Sequence, residues 1–193
     1  MDMNDLLLNI DTSGIDESKE DSHHNRYEPT SYEVLDYLIE SGYISKENVV
    51  VDYGCGKGRV TLYLNYKIGC KTIGIDYNEA LIHKANQNKK LLNSDVLFYY
   101  MNAENYKITD EDCFYFFNPF SDKILRRVMN KIMNSLYEYP RIVRLFFYYP
   151  DDEYIPYLMS LDDFICVDEI DCMDLYENKD IRERILVFEN FYE

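Results

Sequence analysis

The 193-residue chain is predicted to be an α/β protein: a seven-stranded, mostly parallel sheet with helices on both faces and an antiparallel C-terminal strand. Three observations predict it. The run Val49-Val50-Val51 is short and wholly apolar and is followed at once by glycines at 54, 56 and 58, the pattern of a strand covered on both faces that turns into a helix. Apolar and aromatic runs at 71–76, 96–101, 113–117 and 141–149 then alternate with segments of helical periodicity, the order that builds a parallel sheet through crossover helices. Beyond Pro150, two strand-like runs at 164–170 and 184–188 are joined by residues 171–180 without room for a full crossover helix, which predicts an antiparallel finish.

Each element has its own local reason. Residues 1–25 carry acids, Ser, Asn and a single apolar run, Leu6-Leu7-Leu8, and read as a mobile arm or a cap on a single domain spanning 26–193. Val34, Leu35, Leu38 and Ile39 fall at helical spacing behind Pro29 and the N-cap candidates Thr30 and Ser31, and Gly42 stops that helix. Val60, Leu62, Tyr63 and Leu64 open the next helix, which Gly69 ends; residues 79–92 form another, exposed on one side. Ile124, Leu125, Val128, Ile132 and Leu136 set a helix over 121–137, and 154–161 reads as a short helix broken by Pro156.

The stretch Val49-Val50-Val51-Asp52-Tyr53-Gly54-Cys55-Gly56-Lys57-Gly58-Arg59 carries the functional signal. A strand, a loop lacking Cβ atoms and a helix N-terminus together suit a nucleotide-like ligand. Eighteen residues after Gly58, the run Lys71-Thr72-Ile73-Gly74-Ile75-Asp76 ends in a carboxylate at the distance expected of a ribose-binding acid. Dinucleotide loops read GxGxxG, whereas this loop is GxGxG and Arg59 stands where the third dinucleotide glycine would be. At these residues the chain resembles the class I S-adenosylmethionine-dependent methyltransferases, whose first motif is an apolar strand, an acid, one residue and GxGxG.

The resemblance implies a Rossmann-like sheet, S-adenosyl-L-methionine as cofactor and a transferase activity, and it places the cofactor on named positions. Asp52, Gly54, Cys55, Gly56 and Gly58 would form the loop, and Asp76 with its neighbour Tyr77 would meet the ribose. Asn102-Ala103 stands where the family commonly has an Asp-Ala pair facing adenine. The ending Asn118-Pro119-Phe120 looks like the Asn-Pro-Pro-aromatic motif of enzymes that methylate planar amino groups, shortened by one proline. It implies catalytic roles for Asn118, Pro119 and Phe120, with Asn118 also beside the cofactor. The family often closes a segment over the cofactor upstream of the glycine loop, which makes Tyr27, Thr30 and Tyr32 lid candidates. The alternative is a non-catalytic S-adenosylmethionine-binding or interaction module, motivated by the shortened motif and by Asn at 102.

Composition bounds the rest. No stretch approaches eighteen consecutive apolar residues and the start lacks a basic signal region, so a soluble, cytoplasmic protein with no membrane partner is expected. Five cysteines without a CxxC pair predict neither a disulfide framework nor a zinc site, and the adjacent pair His23-His24 has no spaced partners, so no metal is expected. The net charge of −16 is uneven: 12 acids against 3 bases over 1–48, 10 against 14 over 49–150, and 14 against 3 over 151–193. This balance does not favour a nucleic-acid acceptor. A local groove of Lys123, Arg126, Arg127 and Lys131 is open to it, and a solvated helix face is the simpler reading of that cluster. The methyl acceptor and the oligomeric state are not written in the sequence.

Overall fold

The computed structural model describes residues 2–16 and 27–191; His23, His24 and Arg26 lie outside the described residues. Seven strands, β1 (Val49–Tyr53), β2 (Lys71–Asp76), β3 (Leu97–Tyr100), β4 (Cys113–Phe116), β5 (Arg144–Tyr148), β6 (Phe164–Asp171) and β7 (Arg184–Asn190), form one sheet in the order β3-β2-β1-β4-β5-β7-β6. The first five are mutually parallel, and β7 inserts antiparallel between β5 and β6. The predicted fold class is therefore the observed one. The order reverses between β1 and β4, which opens a crevice at their carboxyl ends.

Among the described residues there are six α-helices: α1 (Met3–Leu8), α2 (Tyr32–Glu40), α3 (Arg59–Ile68), α4 (Glu79–Leu92), α5 (Asp122–Glu138) and α6 (Tyr154–Leu158). Strand alternation sorts two cores. Cys113 and Tyr115 of β4 pack with Phe146 and Tyr148 of β5 against α2 and α3, while Phe114, Phe116, Leu145 and Phe147 face α5 and α6 on the other side. No helix among the described residues is long and apolar enough to cross a membrane.

Boundaries differ from expectation where side chains take over backbone pairing. The fifth strand begins at Arg144 and not at 141, because Arg141 donates to the Glu111 carbonyl and the Val143 amide is taken by the Asn190 side chain at 2.6 Å. Pro156 does not break α6; it lies in the first turn, where its missing N–H has no helical acceptor. Cys55, Cys70, Cys113 and Cys172 are buried thiols, and Cys166, on the outer strand β6, is exposed.

The N-terminal residues 2–16, expected as a mobile arm or a cap, pack on the helices beside the sheet. They do not stand apart from the domain: Leu8 and Ile10 belong to the α2–α3 core. Asp5 is wholly buried, accepting from the Thr12 amide (2.9 Å), the Thr12 hydroxyl (2.7 Å) and the Tyr32 hydroxyl (2.5 Å). Asn88 of α4 clasps Asp11 through both ends of its amide, at 3.1 and 3.0 Å. A short antiparallel bridge, Asp16 to Tyr27, brings the chain back toward the glycine loop.

Candidate functional site

The glycine loop leaves β1 and is tied to β2 before it enters α3. The amides of Gly54 and Cys55 both donate to the Ile75 carbonyl, at 2.8 and 3.0 Å. The Asp76 carboxylate ends β2 and accepts from the amides of Gly56 (2.9 Å) and Asn78 (2.8 Å), so loop and acid are built as one unit. Two of the glycines are required by close neighbours. A Cβ on Gly54 would stand 2.5 Å from Cβ of Pro119, and one on Gly56 would stand 2.0 Å from the Tyr27 ring, each at positive φ.

Above this unit, at the carboxyl ends of β1, β2, β3 and β4, lies a cavity of about 250 Å³. Asp52, Gly54 and Cys55 line its floor, Asp76 and Tyr77 one side, and Asn102 with Ala103 the far wall. Pro119 and Phe120 face it from the β4–α5 connection, and Tyr27 with Thr30 closes it from the N-terminal side. The structure thus brings most of the sequence-predicted positions to one space. Tyr115 and Phe117 also line it; they lie inside an apolar strand run that carried no chemical signal in the sequence.

A family model described as a methyltransferase domain matches residues 44–141, half of the chain, from the approach to β1 to the end of α5. The chain belongs to the class I S-adenosylmethionine-dependent methyltransferases. Over 73 residues it is 36% identical to an uncharacterised protein of Methanocaldococcus jannaschii; the match covers 38% of this chain and only about a third (32%) of that relative's length. Among solved structures, an rRNA methylase from Streptococcus thermophilus is similar at a TM-score of 0.59 and 20% identity, covering 84% of this chain and 96% of that one. An RNA methyltransferase from Salinibacter ruber in complex with S-adenosyl-L-homocysteine gives 0.55 and 19%, covering 86% and 95%. The Pyrococcus abyssi tRNA (uracil-54, C5)-methyltransferase, also with S-adenosyl-L-homocysteine, gives 0.61 and 17%, covering 86% of this chain and 40% of that one. At these identities the structural likenesses establish the fold.

Four predicted positions of the methyltransferase do not line the cavity. Gly56 is covered by the Tyr27 ring, and Gly58 lies under the Phe98 ring of β3, so both shape the loop from behind. Tyr32 is fully buried beneath α1 and is no lid: its hydroxyl is committed to Asp5 and its ring lies 4.4 Å from the Arg59 guanidinium. The Asn118 amide is turned toward the next loop, with Nδ2 donating to the Tyr149 carbonyl and Oδ1 accepting from the Asp151 amide at 2.9 Å. This orientation follows from the backbone, since Asn118 sits at φ +39°.

The electrostatics of the cavity are set by burial. Asp52 is enclosed at the end of β1, and loss of solvent pushes its carboxyl up to about 7; the Thr61 hydroxyl, donating at 3.0 Å, opposes this, and the nearby Asp76 charge adds to it. Burial also holds the Cys55 thiol and the Tyr115 hydroxyl well above their ordinary ranges, so both stay protonated. The basic cluster on α5 is largely committed internally. Arg127 pairs with Glu104 at 2.8 Å, Arg126 pairs with Asp122 and lies over the Tyr157 ring, and Lys131 donates to the Tyr106 carbonyl.

Proposed function

We propose that this methyltransferase binds S-adenosyl-L-methionine across the β1, β2 and β3 ends of the cavity and transfers its methyl group to an acceptor entering beside Pro119 and Phe120. One observation carries the reading: the glycine loop, Asp76, Asn102-Ala103 and the β4–α5 connection all face a single cavity at the carboxyl edge of the sheet. The residues fit the donor. The Gly54 backbone faces the cavity, the Asp76 carboxylate lines it with acceptor oxygens of the kind that meet ribose hydroxyls, and Ile75, Met101 and Ala103 offer apolar surface to a flat base. When bound, the donor supplies an electrophilic sulfonium methyl.

The chain's own part is binding, alignment and exclusion of water. Asp52 in its ionised form suits the donor's ammonium group. Pro119, held against Gly54, and Phe120, packed at the edge of the Tyr53 ring with centroids 6.4 Å apart, fix the wall next to which the acceptor would lie. Holding donor and nucleophile in line supplies up to ~7–11 kcal/mol in favourable systems, so no strong general base is demanded. A planar amino acceptor suits the Phe120 wall. Asn118 then acts through the loop it braces and not by touching the acceptor. The described N-terminal residues serve as a cap on the donor end.

The second reading, a donor-binding module without transfer, is favoured by that one feature: the amide that would hold an amino nucleophile is committed to Tyr149 and Asp151. Isothermal titration with S-adenosyl-L-homocysteine tests the shared part, and folded protein that binds none at millimolar ligand overturns both readings. Labelled methyl transfer into protein, RNA and small-molecule fractions of a lysate from cells lacking this gene separates them. A labelled acceptor supports the enzyme, and donor binding with no labelled fraction supports the module.

A further inference from the structure

Arg59 is the residue that breaks the dinucleotide spacing, and the fold gives it an unusual position. It opens α3 directly after Gly58, its side chain is only 6% exposed, and it lines the cavity at the glycine-loop end. Its Nε donates to the Thr12 hydroxyl at 2.7 Å and its Nη1 to the Thr30 carbonyl at 3.1 Å, while the guanidinium lies over the Tyr32 ring. Its acidic neighbours stand further off: Asp5 at 3.6 Å from Nη2 and Asp2 at 3.9 Å from Nη1, both beyond hydrogen-bond length. Asp5 is already supplied by Thr12 and Tyr32, so it balances the charge of Arg59 without consuming its donors. A guanidinium has five N–H groups, and the hydrogen bonds to described residues use two.

The other charges lining the cavity sharpen the point. Lys123 and Arg127 belong to α5, and Arg127 pairs with Glu104 of the connection after β3; Asp16, Glu28, Asp52 and Asp76 complete the acidic set. Among the described residues that line the cavity, Arg59 is therefore the cation at the glycine-loop end; Lys57, within the loop, does not line it and donates to the Ser13 carbonyl. The amides of the first turn of α3 add partial positive charge beside it. A buried, oriented guanidinium with unspent donors at a helix N-terminus suits a carboxylate, and S-adenosyl-L-methionine carries one on its amino-acid tail.

We propose that Arg59 receives the carboxylate of the methyl donor and that Asp5 of the N-terminal helix positions it, so that residues 2–16 form part of the donor site. This rests on the donor-binding reading above. Arg59 supplies a charge-assisted hydrogen bond to the carboxylate oxygen, and the Thr12 and Thr30 contacts hold the guanidinium plane toward the cavity.

The test compares two ligands by calorimetry: S-adenosyl-L-homocysteine, and its decarboxylated analogue, which keeps the adenosine, the thioether and the amine. The native protein should prefer the carboxylate-bearing ligand by about ten- to a hundredfold, the size of a charge-assisted bond. Arg59→Met should remove that preference by weakening S-adenosyl-L-homocysteine alone. Equal affinities in the native protein, or an Arg59→Met variant that weakens both ligands by one factor, would overturn the assignment and leave Arg59 as a structural anchor. Should Arg59→Met not fold by circular dichroism, Arg59→Gln decides, because a glutamine keeps N–H donors and carries no charge for the carboxylate. A reduced preference supports the proposal and an unchanged one removes it. Folded native protein binding neither ligand would overturn the donor reading itself, a different result from equal binding of both.

Discussion

Asp52 carries an opposition between stability and binding in one carboxyl group. In the folded protein burial raises it to about 7 from an ordinary 3.8. The folded state then holds the proton over a pH range in which the unfolded chain has released it. The group's stabilising contribution is complete below 3.8 and is lost as pH rises through about 7. With each pKa unit worth ~1.36 kcal/mol, the loss reaches about 4 kcal/mol at its upper bound. Asp52→Asn keeps an acceptor for the Thr61 hydroxyl and cannot ionise. The variant should match the native protein in urea unfolding near pH 4, become progressively more stable than it up to pH 7, and hold a constant advantage above that. It should also bind S-adenosyl-L-homocysteine more weakly at pH 8, where the native carboxylate is charged. A stability difference that does not change with pH would show that Asp52 is not protonated in the fold.

The two loops at the carboxyl ends of β4 and β5 act as one element. Asn118 and Tyr149 both take positive φ, +39° and +48°, and the Asn118 amide joins them, while the Tyr154 hydroxyl of α6 donates to the Phe120 carbonyl. Pro119 is thereby pressed against Gly54. Asn118→Ala removes both amide bonds and leaves a residue poorly suited to the left-handed region, at a cost of about 1–3 kcal/mol. Asn118→Gly relieves the backbone and restores neither bond, so the difference between the two in urea unfolding separates conformation from clamping. Both should weaken S-adenosyl-L-homocysteine through a loosened Pro119, and unchanged affinity in both would show that the clamp does not shape the cavity. The element also marks where the sequence stops being legible. The glycine loop and Asp76 could be read because their chemistry is local, a run of residues with fixed spacing. The direction of the Asn118 amide depends on a carbonyl 31 positions away. Tyr27 and Tyr32 looked equivalent as lids, and what separates them is α1, whose apolar run leaves Leu6 and Leu7 exposed and which docks through a buried acid, Asp5. A buried ion pair has no periodicity. The signals available were Arg59 in a glycine's place and Asn88 on the buried side of an otherwise ordinary helix.

At the scale of the whole molecule the dominant quantity is the excess of acids, 36 against 20 bases. Exposed ion pairs such as Lys84–Asp11 at 3.0 Å and Arg127–Glu104 at 2.8 Å contribute only ~0–1 kcal/mol each, and pairing cannot remove a surplus of 16 acids. Folding gathers these like charges, and their mutual repulsion opposes the compact state. Salt acts on that repulsion: the Debye length falls from about 30 Å at 0.01 M to about 8 Å at 0.15 M, which screens distant acids more than contacting pairs. The melting temperature should therefore rise with sodium chloride over this range, and a fall would mean that attractive pairs outweigh the repulsion. The same field acts on an approaching acceptor. A polyanion bound through the basic face of α5 would lose affinity steeply with salt, since each neutralised phosphate releases counterions. Because Arg126, Arg127 and Lys131 are already engaged within the fold, an RNA oligonucleotide should bind weakly at 0.15 M salt in an electrophoretic shift assay. Tight, salt-sensitive binding would show that these side chains leave their internal partners to meet phosphates.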